Sequence, residues 1–161
     1  MPAIDVVSDA SVALKWFHAA GEEEVAESRA LVAAHQARAV ALLVLDLTAY
    51  EVGNALMRGR AKASAVQVAT VLAALEEICP AVRPDADELR LASELAERHE
   101  LTVYDAAYAA VAESRGATLA TLDRALLKAG LGSRPSELSQ QLDSPAAEGR
   151  REGHDGPAES V

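Results

Sequence analysis

Asp9, Glu51, Asp105 and Asp123 are each set among apolar neighbours at a place where the chain passes into a helix. Val6 and Val7 precede the first, Ala49 and Val52 frame the second, Ala106 and Ala107 follow the third, and Leu119 and Leu122 flank the fourth. Carboxylates drawn together in a poorly solvated cleft repel one another, and each takes up a proton unless a cation compensates its charge. Oxygen ligands clustered without histidine or thiolate suit Mg²⁺ or Mn²⁺. Such an ion, alone or paired, can deprotonate a water, orient a phosphodiester and stabilise charge on the leaving oxygen. Taken singly the four have plainer roles: Asp9 and Asp105 as helix caps, Glu51 as a solvated helix residue, Asp123 as a turn or cap residue. Jointly, at one edge of one sheet, they point to metal-assisted phosphodiester hydrolysis.

The elements that must position them follow from the hydrophobic pattern. A β-branched apolar run over 3–8 reads as a buried strand ending at Ser8-Asp9, and the continuously apolar 40–45 reads as a strand covered on both faces. Helices are predicted over 22–38, with three glutamates first and Arg29 and Arg38 later, and over 48–62, which carries Glu51. Val68, Val71, Leu72 and Leu75 mark another over 64–78, stopped before Pro80, with 81–82 as a short strand. Pro84 opens a helix to about His99, and one from Tyr104 or Asp105, following Leu101-Thr102-Val103, runs to Arg115 and closes at Gly116. A small strand over 117–121 and a short helix over 122–128 complete the pattern. Strands alternating with helices predict an α/β fold, with a central, mostly parallel sheet of four or five strands flanked by helices. In such sheets ligands bind outside the carboxyl ends of the strands, where these acids fall or nearly fall.

With 161 residues the chain suits one domain, expected over 1–143, followed by a polar tail over 144–161 that reads as disordered. Half the residues are apolar but few are aromatic, so the core must be aliphatic. The lone Cys79 has no disulfide partner, no apolar run approaches the roughly 20 residues of a membrane span, and no signal peptide opens the chain. A cytoplasmic protein is expected. The net charge of −10 excludes broad electrostatic adhesion to nucleic acid, so cations would have to mediate any contact with phosphate. No P-loop or Gly-x-Gly-x-x-Gly fingerprint supports a nucleotide cofactor.

At this level of detail the chain resembles the PIN-domain family, in particular its VapC-type ribonuclease toxins. Residues 6–17, an apolar strand ending in Asp9-Ala10-Ser11 before a short apolar helix, resemble the family's first motif. Tyr50-Glu51-Val52-Gly53-Asn54-Ala55-Leu56 resembles the glutamate motif, Leu101-Thr102-Val103-Tyr104-Asp105-Ala106-Ala107-Tyr108 the third, and Ala120-Thr121-Leu122-Asp123-Arg124-Ala125-Leu126 the closing Thr-x-Asp motif. The match spans about 4–128, in the family's order. The resemblance implies that Asp9, Glu51, Asp105 and Asp123 bind Mg²⁺ or Mn²⁺, with Ser11 and Thr121 as polar supports and Asn54 orienting Glu51. It implies an endoribonuclease leaving a 5′-phosphate and a 3′-hydroxyl, a homodimer, and a cognate VapB-like antitoxin whose C-terminal segment covers the cleft. A PIN nuclease of RNA processing without antitoxin, and a catalytically silent PIN-like interaction module, are the alternatives. The family's usual further strand meets a poor candidate in 131–135, and His18, His35, His99 and His154 fall outside the motifs as surface or packing residues.

Overall fold

The computed structural model describes residues 3–19, 21 and 23–144; the tail expected to be disordered lies, from 145 on, outside the described residues, as does His154. Strand β1 (Ile4–Ser8) leads into α1 (Ala10–Phe17) and α2 (Val25–Gln36), then β2 (Val40–Leu45), α3 (Leu47–Arg58) and α4 (Ala65–Ile78). The chain continues through β3 (Ala81–Val82), α5 (Ala86–His99), α6 (Val103–Ser114), β4 (Thr118–Ala120), α7 (Arg124–Lys128) and α8 (Pro135–Asp143). The four strands are all parallel, in the order β3-β2-β1-β4, as the α/β reading requires.

Strand alternation divides the core in two. Val6, Leu42 and Val44 face the layer holding α1 to α4 and α8, while Val7, Leu45 and Leu119 face α5 and α6. Residues 106–112 of α6 are all buried, and most are alanine, which lets this helix sit close against both α5 and the sheet. Local chemistry sets the ends. Ser64 with Gln67 and Asp85 with Glu88 form reciprocal capping boxes at α4 and α5. Gly53, whose added Cβ would lie 3.3 Å from Val68 Cγ1, allows α3 to lie close to α4.

From β1 the chain builds outward through β2 and β3, then returns across α5 and α6 to place β4 on the other side of β1. The crevice at the carboxyl ends of β1 and β4 is therefore the topological switch point, the usual ligand position in open parallel sheets.

Residues 101 and 102 are irregular, and α6 begins at Val103, just ahead of the expected start at Tyr104 or Asp105. The segment after Gly130 is ordered against β4 by a single parallel bridge, with Ser133 N donating to Leu119 O (2.9 Å) and Thr121 N donating to Ser133 O (3.0 Å). Helix α8, which the hydrophobic pattern did not mark, then docks on α2: Ser136 N and Oγ donate to the Glu24 carboxylate at 2.9 and 2.6 Å. Among the described residues, no helix is long and apolar enough to cross a membrane.

Candidate active site

Asp9 is the most constrained of the four acids. It follows β1 and caps α1, its Oδ1 accepting from Val12 N at 3.2 Å, so the capping role weighed against function is also filled. Ser11 Oγ donates to the same oxygen (2.5 Å), and Thr121 Oγ1, from beyond β4, donates to Oδ2. The two supporting hydroxyls are themselves fixed: Leu122 N donates to Ser11 Oγ (2.8 Å) and Asp123 N to Thr121 Oγ1 (3.0 Å). One hydrogen-bonded chain thus ties the ends of β1 and β4 and brings Asp9, Ser11, Thr121 and Asp123 together. Asp123 caps α7, with Oδ1 accepting from Ala125 N (2.9 Å) and Leu126 N (3.0 Å).

Glu51 enters from α3. Its Oε1 is buried and has no hydrogen-bond partner. Asn54 is exposed, lines the cleft between α3 and α4, and does not supply that partner. Below the acids, the buried Thr48 hydroxyl accepts from Leu45 N (3.1 Å) and pairs with the Tyr108 hydroxyl (2.8 Å). Burial, with the Glu51 charge adding to it, pushes the Tyr108 phenol up, so it stays protonated. Asp105 stands in the first turn of α6, where Thr102 is the cap: Asp105 N donates to Thr102 Oγ1 (3.1 Å), and that hydroxyl donates back to Asp105 Oδ2 (2.8 Å).

The electrostatics follow from this crowding. Burial pushes the Asp9 carboxyl up to about 6 against the opposing hydrogen bonds of Ser11, Thr121 and Val12, and the Asp123 charge adds to the rise. Burial likewise lifts Glu51 to about 7, reinforced by the charges of Asp9 and Asp105 and opposed by the Tyr108 hydroxyl, which hydrogen-bonds the carboxylate. The four acids therefore sense one another, although no group of three or more His, Cys, Asp or Glu among the described residues is gathered into a ready ligand set. Elsewhere, His35 Nδ1 meets Leu42 N (3.1 Å) and Val40 O (3.3 Å), a packing role at the edge of β2.

Neither Thr48 nor Tyr108, the last residue of the third motif, was assigned a role from the sequence. A signal existed in the spacing: Tyr108 lies one helical turn beyond Asp105, and Thr48 one turn before Glu51.

The PIN-domain model matches residues 6–131, and the chain belongs to that family. It is 43% identical over 89 residues to Ribonuclease VapC3 of Pyrobaculum aerophilum, covering 53% of this chain and 68% of the relative. It is also 43% identical over 91 residues to Exonuclease VapC9 of the same organism, covering 53% of this chain and 65% of that one. A crystal structure of the P. aerophilum protein PAE2754 superposes with a TM-score of 0.57 at 30% identity, covering 86% of this chain and 95% of its own. VapC20 of Mycobacterium tuberculosis, described as a sarcin-ricin loop cleaving toxin, shares the fold with a TM-score of 0.62 at 19% identity, covering 78% of this chain and 95% of its own.

Proposed function

We propose that the protein is a divalent-metal-dependent endoribonuclease, acting in the cytoplasm as the toxin of a toxin-antitoxin pair. The observation that carries this reading is Glu51 Oε1, a buried carboxylate oxygen without a hydrogen-bond partner, repelled by the charges of Asp9, Asp105 and Asp123. A carboxylate with one oxygen buried and unpartnered among other acids is costly to ionise, and a cation offsets that cost. The donors on offer are oxygens alone, which fits Mg²⁺ or Mn²⁺ held by Asp9, Glu51, Asp105 and Asp123. When bound, such an ion supplies Lewis acidity to a water and neutralises charge on the phosphodiester.

The chain's own residues divide the remaining work. Ser11, Thr121 and Val12 fix the orientation of the Asp9 carboxylate. Hydrogen bonds among the described residues engage only Oδ2 of Asp105 and only Oδ1 of Asp123, so each keeps one oxygen for a ligand. Glu51, lifted to about 7, is protonated in part near neutral pH when no cation is present. The name of one relative, a ribonuclease, supports RNA as substrate, and the resemblance of the four motifs to VapC-type toxins carries the antitoxin as partner. An apolar cleft of about 690 Å³ between α3 and α4, beside the helix that carries Glu51, suits burial of an antitoxin segment. A homodimer belongs to the same reading and is measured directly by sedimentation.

The test is incubation of a covalently closed single-stranded RNA circle with the protein and Mg²⁺ or Mn²⁺. Linearised circles, absent with EDTA and absent with Asp9→Asn, support the reading. Degradation of linear RNA alone makes the protein an exonuclease, the activity in one relative's name. Equal traces of cutting by wild type and Asp9→Asn on every RNA defeat the enzymatic reading.

A further inference from the structure

Aromatic side chains are scarce here: one Trp, one Phe and three Tyr. Trp16 and Tyr108 are buried and Phe17 is half-buried, whereas Tyr50 is 81% and Tyr104 70% exposed. Each exposed tyrosine immediately precedes a site acid, Glu51 or Asp105. Both sit near helix starts, in α3 and α6, where the backbone holds them rigidly beside the carboxylates. Together with Glu51 and Asp105 they line one open cavity of about 430 Å³, completed by Leu47 and Thr102. A large aromatic left in water at one such position is unremarkable; two flanking the same acids across one cavity need a partner.

Charge narrows what that partner is. At a net charge of −10 the chain has little electrostatic hold on a polyphosphate strand, and the cavity wall is itself acidic. Stacking of bases on aromatic faces is the attraction that needs no positive surface, and it selects unpaired nucleotides because only those present a free face. We propose that Tyr50 and Tyr104 are base-stacking positioning residues that seat unpaired nucleobases of the RNA, so that the phosphodiester lies at the carboxylates. The proposal rests on the nuclease reading and adds to it the two residues that seat the strand at the carboxylates.

The test uses the full chain as the parent in Ca²⁺, which oxygen ligands hold but which is a weaker Lewis acid than Mg²⁺, and follows fluorescence anisotropy of a labelled single-stranded RNA. Tyr50→Leu and Tyr104→Leu each weaken binding about tenfold, while Tyr50→Phe and Tyr104→Phe keep it. An RNA of the same length with abasic sites binds weakly to the parent and is insensitive to the Leu substitutions. With Mg²⁺ in place of Ca²⁺ the same loss appears in KM, with kcat within about twofold. Both sites are exposed, so melting temperatures stay unchanged. Unaltered RNA affinity and KM in both Leu variants overturn the proposal and leave the nuclease reading standing. A changed sedimentation mass with unchanged RNA affinity also overturns it, making the rings a protein contact. Failure of the parent to bind any RNA, with no cleavage in Mg²⁺, removes the nuclease reading and this proposal together.

Discussion

Asp9→Asn should inactivate the protein and, without divalent metal, stabilise it. Burial raises the Asp9 carboxyl from its ordinary 3.8 to about 6. At 1.36 kcal/mol per pKa unit, ionising Asp9 in the folded protein at neutral pH costs about 3 kcal/mol. An acid whose folded pKa exceeds its unfolded value binds more protons when folded. Wild-type stability therefore falls as pH rises from about 4 to about 6 and levels off above. Asparagine caps a helix as well as aspartate, so the bond from Val12 N survives, and Thr121 can accept from the new amide. Allowing about 1 kcal/mol for lost charge-assisted hydrogen bonding, the net gain is about 2 kcal/mol, or about 4–8 °C in Tm for a chain of this size. Calorimetric melts in EDTA should show this gain at pH 7.5 and its disappearance near pH 4. Saturating Mg²⁺ should reverse the order, because binding at 100 times Kd adds about 2.7 kcal/mol to wild type alone. The reasoning is refuted if Asp9→Asn is destabilised equally at both pH values, as expected of a carboxylate kept only for structure.

Further outcomes follow from individual contacts. Glu51, lifted to about 7 chiefly by burial, should make metal-free stability continue to fall as pH rises from about 4.5 to about 7. Glu51→Gln should flatten the part of that fall between Asp9's value and pH 7, and carboxyl carbon NMR should follow the titration itself. An added Cβ at Gly132 would lie 2.6 Å from Thr121 Cγ2 and 3.1 Å from Leu119 O, so Gly132→Ala should cost about 1–3 kcal/mol in chemical denaturation and lower kcat more than it raises KM. Glu24→Ala removes both acceptors of Ser136 and should speed amide hydrogen exchange across α8 while leaving exchange in β1 unchanged.

The parts of the fold that could be read from residues were those where one physical signal dominates. β2 is a continuous aliphatic run and β1 is buried from Val6 on because both faces of the sheet are covered there, and α4 and α5 open with capping boxes spelled in their side chains. Helix α8 escaped because few of its residues are apolar. Its buried side is Pro135 and Leu138, and the signal was Pro at the first helical positions with Glu137 accepting from Arg134 N at 3.0 Å. The order of the segment from Gly130 to Ser133 was illegible, since it depends on one bridge to β4 and on the close approach that Gly132 permits. At the site, the positions of Asp9 and Asp123 followed from strand ends, and those of Ser11 and Thr121 from the motifs. The missing partner of Glu51 Oε1 is tertiary, set by how α3 meets the two strands and α6, and no local pattern encodes it. Asn54 shows the converse: one turn from Glu51 in sequence, it turns toward the α3-α4 cleft.

The central claim is that four carboxylates, two of them, Asp9 and Glu51, pushed up by burial, form a cation site. Titration of the metal-free protein with Mn²⁺, followed by electron paramagnetic resonance, tests it without depending on the RNA target. The account predicts saturable binding by wild type that is lost or weakened at least tenfold in Asp9→Asn, Glu51→Gln, Asp105→Asn and Asp123→Asn. Absence of binding by wild type, or the same affinity in all four variants, contradicts it.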